Sequence, residues 1–245
     1  MSLAGSRLLD ALRDLAKALK KIDAASMFIG GIAVIARGHA RTTLDIDATI
    51  DGAASSLDEI LETLGAAHIA PRIEDARAFA ERSGVLLLAH QPSGIPIDLS
   101  LAQLGFELDA LARREPISIE GLRLSLPTVE DLLIYKILAR RPRDLEDARM
   151  LLGIHAATVD RKRIREVLAA FDRATAEDEA IRTWNAVLKS TWNAVLKSTR
   201  NAVLKTAPEG TSAAHPPSGL RKKRSAKRKQ KQKQKQKQEQ KPRKK

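Results

Sequence analysis

The stretch from residue 28 to residue 47, FIGGIAVIARGHARTTLDID, constrains the fold of this chain more than any other. It predicts a short strand, a turn at Gly30-Gly31, a helix, a basic turn and a second strand that carries Asp45 and Asp47. Paired glycines lack a Cβ atom and therefore let a backbone come close to a bound group. Side chains alternate between the two faces of a strand, so we expect both carboxylates to point the same way.

Two carboxylates on one face repel each other and are costly to bury without a partner. A divalent cation removes that repulsion, and hard oxygen ligands suit Mg²⁺. The stretch therefore predicts a metal ion beside a glycine-rich turn that accepts phosphate.

Asp98 is the later acid that matters most. It lies in the middle of residues 95–101, IPIDLSL, where apolar and polar side chains alternate as they do in a strand. If this strand lies beside residues 44–50, then Asp98 joins Asp45 and Asp47. Three carboxylates from two neighbouring strands can hold two divalent ions about 3.5–4 Å apart and stabilise an in-line phosphoryl displacement.

The rest of the hydrophobic pattern predicts an α+β fold, with a small mixed sheet, helices packed on one side and a helical C-terminal part. Predicted helices cover residues 6–22, 31–38, 56–64, 73–82, 106–114, 128–140, 143–152 and 158–173. Predicted strands cover residues 27–30, 44–50, 85–89 and 95–101, and a small hairpin covers residues 117–126. Asp144 and Asp147 lie among arginines, and we expect them to form ion pairs on a helix surface.

Gly30-Gly31, Asp45-x-Asp47 and Asp98 resemble, in order and approximate spacing, the motifs of the nucleotidyltransferase superfamily with the polymerase-β-type fold. Residues 41–47 look especially similar to a bacterial subgroup related to the AbiEii-type toxins of toxin–antitoxin systems. Residues 128–152 also resemble that subgroup, because they repeat its helix pattern of one lysine, two arginines and two aspartates. The resemblance covers residues 5–173.

The resemblance implies that a nucleoside monophosphate is transferred from a nucleoside triphosphate to a hydroxyl acceptor, with release of pyrophosphate and with two Mg²⁺ ions. Gly30 and Gly31 would line the triphosphate, Lys136 would contact a phosphate, and Arg41 and Thr43 would reach the nucleotide. Many members have Gly-Ser where this chain has Gly-Gly, which leaves one phosphate contact to backbone amides.

The acceptor is open at this stage. RNA, with a toxin-like role and an antitoxin partner, is the first hypothesis. The alternatives are a catalytically silent protein that binds nucleotide or nucleic acid and keeps the fold, and an enzyme that modifies a small molecule such as an antibiotic.

The C-terminal part has a different composition from the rest. We expect a nucleotidyltransferase-like domain over residues 1–174, a helical extension over residues 175–206 with three copies of an octapeptide (TWNAVLKS, TWNAVLKS, TRNAVLKT), and a disordered tail over residues 207–245. That tail holds 15 of the 43 Lys and Arg residues but only 2 of the 30 acids, so it carries the whole net charge of +13. A Lys-rich arm attracts phosphate backbones without reading sequence, although an accidental extension is the alternative.

Several classes of protein are excluded or disfavoured. With 0 cysteines, the chain has no disulfide framework and no thiolate metal site. It has no apolar run of membrane-spanning length and its N-terminus does not resemble a signal peptide, so we expect a cytoplasmic protein. The five histidines show no metal-ligand spacing.

Overall fold

The computed structural model describes residues 6–103 and 105–206, with side chains described for residues 7–103 and 105–194. Residues Met1–Ser198 form one compact unit, and Thr199–Lys245 form a second, of which only the helical residues 199–206 are described. The predicted disordered tail at 207–245 lies outside the described residues.

The helices and strands follow one another in an α+β order. The helices are α1 Ser6–Leu19, α2 Gly30–Ala36, α3 Leu57–Gly65, α4 Ala76–Ser83, α5 Gly105–Ala112, α6 Val129–Ala139, α7 Pro142–Ile154, α8 Arg161–Thr175 and α9 Glu179–Thr206. The strands are β1 Ser26–Phe28, β2 Ile46–Asp51, β3 Ile69–Pro71, β4 Val85–His90, β5 Ile95–Ala102, β6 Glu115–Ile119 and β7 Leu122–Leu126.

Five strands form one sheet in the order β1-β2-β5-β4-β3, and β6 and β7 form a separate hairpin. Only the β2–β5 pair is parallel among the described strands, and the other pairs are antiparallel. The structure therefore confirms the α+β fold with a small mixed sheet. It adds β3, an edge strand of three residues that the sequence pattern did not predict.

The two faces of the central strands differ in burial. One face is fully buried and consists of Ile46, Ala48, Ile50, Leu86, Leu88, Ile97 and Leu99. The register places the intervening residues Asp47, Leu87 and Asp98 side by side on the opposite face, where they are only partly buried. Period-two alternation thus puts the core on one side of the sheet and the acids on the other.

Local signals in the sequence explain where several helices begin. The Ser56 hydroxyl accepts a hydrogen bond from the Glu59 amide at the start of α3, and the Thr128 hydroxyl accepts one from the Asp131 amide at the start of α6. Arg140 ends α6 in the left-handed conformation, and Pro142 occupies the first turn of α7, where its missing N–H leaves no bond unmade. This tight junction turns α7 back against α6.

The start of α9 packs into the main hydrophobic core. Ala180, Trp184 and Val187 are each less than 7% exposed and belong to the same buried cluster as α1 and the sheet. Trp192, at the same place in the next repeat, is 45% exposed and stacks against the Arg161 guanidinium. Identical repeat units therefore have different surroundings.

Candidate functional site

The glycine pair opens α2 directly beside Asp47. Gly30 has a φ of +55°, which favours glycine, and a Cβ atom there would collide with the Asp47 carboxylate. The Gly31 amide donates a hydrogen bond to that carboxylate, and a Cβ atom on Gly31 would collide with the Thr43 side chain. Both glycines are therefore needed for the close approach of the turn to residues 43–47.

The parallel register between β2 and β5 brings two of the acids together. Asp47 is the register partner of Asp98, as expected from the sequence. Asp45 differs from the prediction, because β2 begins at Ile46 and Asp45 lies in the bend just before it. There it accepts a hydrogen bond of 2.8 Å from the Thr43 hydroxyl, which fixes its carboxylate beside the strand.

The acids interact electrostatically. Burial raises the pKa of Asp47, and the nearby charges of Asp45 and Asp98 raise it further, while Lys136 and the Gly31 amide oppose the shift. Burial also raises the pKa of Asp98, with Asp45 adding to the rise and Arg72 opposing it. The free protein thus holds carboxylates together in a place that disfavours their combined negative charge.

Lys136 does not project into solvent from α6. Its ammonium lies 2.8 Å from Asp144 Oδ1 and 3.1 Å from Asp147 Oδ2, and its side chain is only 7% exposed. Asp147 also accepts a hydrogen bond of 3.1 Å from Arg41. The expectation that Asp144 and Asp147 form surface ion pairs is wrong, because these residues are 2% and 1% exposed.

Asp144 is held ionised despite its burial. Burial alone would raise its pKa, but hydrogen bonds from Arg141 and Lys136 outweigh that effect and lower the pKa below its ordinary value. The Arg141 Nε atom lies 2.5 Å from Asp144 Oδ2. Two buried acids therefore fix the positions of the cations that surround the cleft.

A cleft of about 160 Å³ lies between these acidic and basic groups. It is lined by Gly31, Arg41, Thr43, Asp45, Asp47, Lys136, Arg141, Arg143 and Asp144. Six of the eight residues predicted from the sequence are in this lining. The other two lie next to Asp47, which is itself in the lining. Gly30 packs against the Asp47 side chain, and Asp98 is the register partner of Asp47 on β5.

Three lining residues, Arg141, Arg143 and Asp144, were not predicted as site residues. The signal that would have found them is the spacing of Lys136 from Asp144 across Pro142, since a helix break there folds the two segments together.

A sequence profile of the nucleotidyltransferase family of unknown function DUF6036 matches residues 6–200.

The chain belongs to this nucleotidyltransferase family. The superfamily resemblance seen in the sequence is thereby confirmed, while membership of the AbiEii-related subgroup stays a prediction. No curated protein sequence matches this nucleotidyltransferase.

Solved structures with a similar fold include two of the antibiotic-resistance factor ANT(2'')-Ia. The solution structure has a TM-score of 0.51 at 16% identity, covering 70% of this chain and 95% of that one. A crystal structure in complex with adenylyl-2''-tobramycin also has a TM-score of 0.51 at 16% identity, covering 69% of this chain and 99% of that one. At this level of identity the likeness establishes the fold alone.

The acids of this nucleotidyltransferase have the donor chemistry that Mg²⁺ prefers. Among the described residues, no three or more His, Cys, Asp or Glu side chains are already arranged as a metal group. Asp45, Asp47 and Asp98 nevertheless supply hard carboxylate oxygens from adjacent positions, and burial together with the neighbouring acids raises the pKa of Asp47 and of Asp98. These three residues therefore fit a divalent ion, and they are the ones that would hold it.

No helix in the described part of this nucleotidyltransferase is long and apolar enough to cross a membrane.

Proposed function

We propose that this nucleotidyltransferase transfers a nucleoside monophosphate from a nucleoside triphosphate to a hydroxyl acceptor, with Mg²⁺ held by Asp45, Asp47 and Asp98. One observation carries the proposal: the parallel register sets Asp47 beside Asp98, while the glycine turn packs against Asp47. Carboxylates from adjacent strands beside a turn without side chains are what a metal–triphosphate complex requires.

In the proposed reaction the acceptor oxygen forms a bond to the α-phosphorus, the bond from that phosphorus to the leaving oxygen breaks, and pyrophosphate departs. Two Mg²⁺ ions, when bound, neutralise the negative charge that develops on the phosphates. Asp45 and Asp47 would hold the ions to which the nucleotide phosphates bind, and Asp98 would hold an ion on the acceptor side, where its carboxylate could take the hydroxyl proton.

The basic side of the cleft suits the triphosphate. Lys136, Arg141 and Arg143 line it opposite Asp45 and Asp47. Lys136 is paired with two buried acids, so it offers phosphate a fixed and partly neutralised charge rather than a mobile one. Arg41 is bound to Asp147, and Thr43 to Asp45, so we assign both a role in holding the cleft's shape around the nucleotide.

We propose RNA as the acceptor, in a toxin-like role in the cytoplasm with an antitoxin as protein partner. The resemblance of residues 41–47 and 128–152 to the AbiEii-related subgroup supports this choice. The 15 basic residues of the tail at 207–245 support it as well, since they would bind RNA nonspecifically. A small-molecule hydroxyl is the second candidate, because the similar fold of ANT(2'')-Ia is solved with an adenylylated antibiotic.

A label-transfer assay tests the proposal. The full-length protein is incubated with Mg²⁺, each α-³²P-labelled nucleoside triphosphate in turn and total bacterial RNA, with Asp47→Asn as the matched control. Label in RNA that the control lacks supports the enzyme and its acceptor together. Tobramycin is added in a parallel reaction. Label on tobramycin instead of RNA would support nucleotidyl transfer but with a small molecule, not RNA, as the acceptor. Triphosphate binding without label on any acceptor favours the silent binding protein.

A further inference from the structure

The third acid, Asp98, already has a cation. The Arg72 Nη2 atom lies 2.6 Å from Asp98 Oδ1, and the two side chains are 33% and 41% exposed. Among the described residues, neither Asp45 nor Asp47 forms a salt bridge with an arginine: Asp45 accepts a hydrogen bond from Thr43 and Asp47 one from the Gly31 amide, while Arg141 acts on both only through its more distant charge. Among the three acids, Asp98 is thus the one with a salt bridge to an arginine in the described part of the chain.

The backbone fixes Arg72 opposite Asp98. Arg72 follows β3 directly, and its amide donates a hydrogen bond of 3.0 Å to the Leu87 carbonyl oxygen. Leu87 on β4 is itself the register partner of Asp98 on β5. The Arg72 side chain therefore starts two strands away from Asp98 in the same sheet and reaches back across β4 to the carboxylate.

This contact occupies part of the predicted metal site. An arginine that donates to a carboxylate oxygen uses an electron pair that a metal ion would otherwise use, and its positive charge repels the ion.

We infer that Arg72 is a built-in counter-ion, which a divalent ion must displace from Asp98 before the metal site is complete. This inference rests on the proposed function and adds a regulation to the same site. Arg72 is a positioning residue, because it acts through Asp98 and contacts no other group of the cleft. A divalent ion alone then binds weakly, whereas the negative charge of a bound triphosphate compensates for the displaced arginine. The ion is expected to enter together with the nucleotide.

Mn²⁺ binding to the nucleotide-free, full-length protein tests the inference without measuring activity. Free Mn²⁺ is measured by its electron paramagnetic resonance signal at pH 8 in the wild type, Arg72→Gln, Arg72→Lys and Arg77→Gln. Arg77 is the matched control, because it pairs with the exposed acids Asp58 and Glu81 and with none of the three site acids. We expect Arg72→Gln to bind Mn²⁺ about tenfold more tightly, from the loss of one nearby positive charge. Arg72→Lys and Arg77→Gln should stay close to the wild type.

The outcomes separate this inference from the proposed function when Asp47→Asn is measured alongside. If Asp47→Asn weakens Mn²⁺ binding but Arg72→Gln matches the wild type, the counter-ion role of Arg72 is overturned and the metal site stands. If the Mn²⁺ isotherms of the wild type, Arg72→Gln and Asp47→Asn are all alike, the metal site and the inference both fall. If Arg72→Gln binds Mn²⁺ more tightly than the wild type and Arg72→Gln/Asp47→Asn does not, the metal site and the counter-ion role of Arg72 are both supported.

Discussion

The buried charge cluster beneath the cleft makes a strong prediction about stability. Asp147 is 1% exposed and lies within hydrogen-bond distance of Lys136 and Arg41, whose side chains are 7% and 13% exposed. Changing Asp147→Asn removes the negative charge but keeps the size of the side chain. Both cations, which are largely buried, then lose a charged partner.

Breaking a buried ion pair by removing one partner costs about 3–5 kcal/mol. Lys136 keeps Asp144 as a second partner, so we expect the lower end of that range, about 3 kcal/mol. With a urea m-value of about 3 kcal/mol/M for a domain of this size, the unfolding midpoint falls by about 1 M.

Urea unfolding at pH 7, followed by circular dichroism, measures this change. Asp58→Asn is the control, because Asp58 pairs with Arg77 at a surface where the side chains are 78% and 50% exposed. That exposed pair should contribute about 0.5 kcal/mol or less. A loss for Asp147→Asn no larger than the control's would refute the view that the cluster is a buried network.

A double variant checks the pairwise part of the same reasoning. In Lys136→Met/Asp147→Asn the lysine is no longer left beside a neutral amide. The combined destabilisation should therefore be smaller than the sum of the two single losses. Additive losses in urea unfolding would show that Lys136 and Asp147 do not stabilise each other.

Three further predictions concern the turn, the repeats and the acids. Gly30→Ala should abolish label transfer while the protein stays folded by circular dichroism, because its Cβ atom displaces the Asp47 carboxylate; wild-type turnover would contradict this. Trp184→Ala should destabilise the protein by about 3–5 kcal/mol in urea, and Trp192→Ala by under about 1 kcal/mol, although both occupy the same repeat position. Asp47→Asn should raise the melting temperature at pH 7 without metal. Burial raises the Asp47 pKa, so the folded state binds more protons and loses stability as pH rises through the window above 3.8. An unchanged or lower melting temperature would contradict this.

The sequence predicted the acidic half of the site better than the basic half. Alternation along residues 95–101 was enough to put Asp98 on a strand, but its place beside Asp47 was a condition that the parallel register of β2 and β5 supplies. Asp45 was predicted inside a strand but lies just before β2, because the hydrophobic pattern does not define where a strand begins. β3 was missed because its three residues are too few to show a period.

The basic half was misjudged because burial is a property of packing, not of local composition. Asp144 and Asp147 stand among arginines, a pattern typical of an exposed helix. Only the left-handed turn at Arg140, followed by Pro142, folds α7 onto α6 and buries these acids against Lys136. The helix break at Pro142 is the local signal for that fold-back, whereas the arginines around Asp144 indicate exposure and conceal the burial.

The charges of the cleft argue for a joint ligand rather than for a metal or a nucleotide alone. On the sheet side, burial raises the pKa of Asp47 and of Asp98; Asp45 adds to both rises, and Asp98 adds to that of Asp47. On the helix side, Lys136 is held by buried acids that limit its attraction for a lone phosphate. Under the proposed function, a metal–triphosphate complex would bring cations to the carboxylates of the sheet side and anions to the basic groups of the helix side at the same moment.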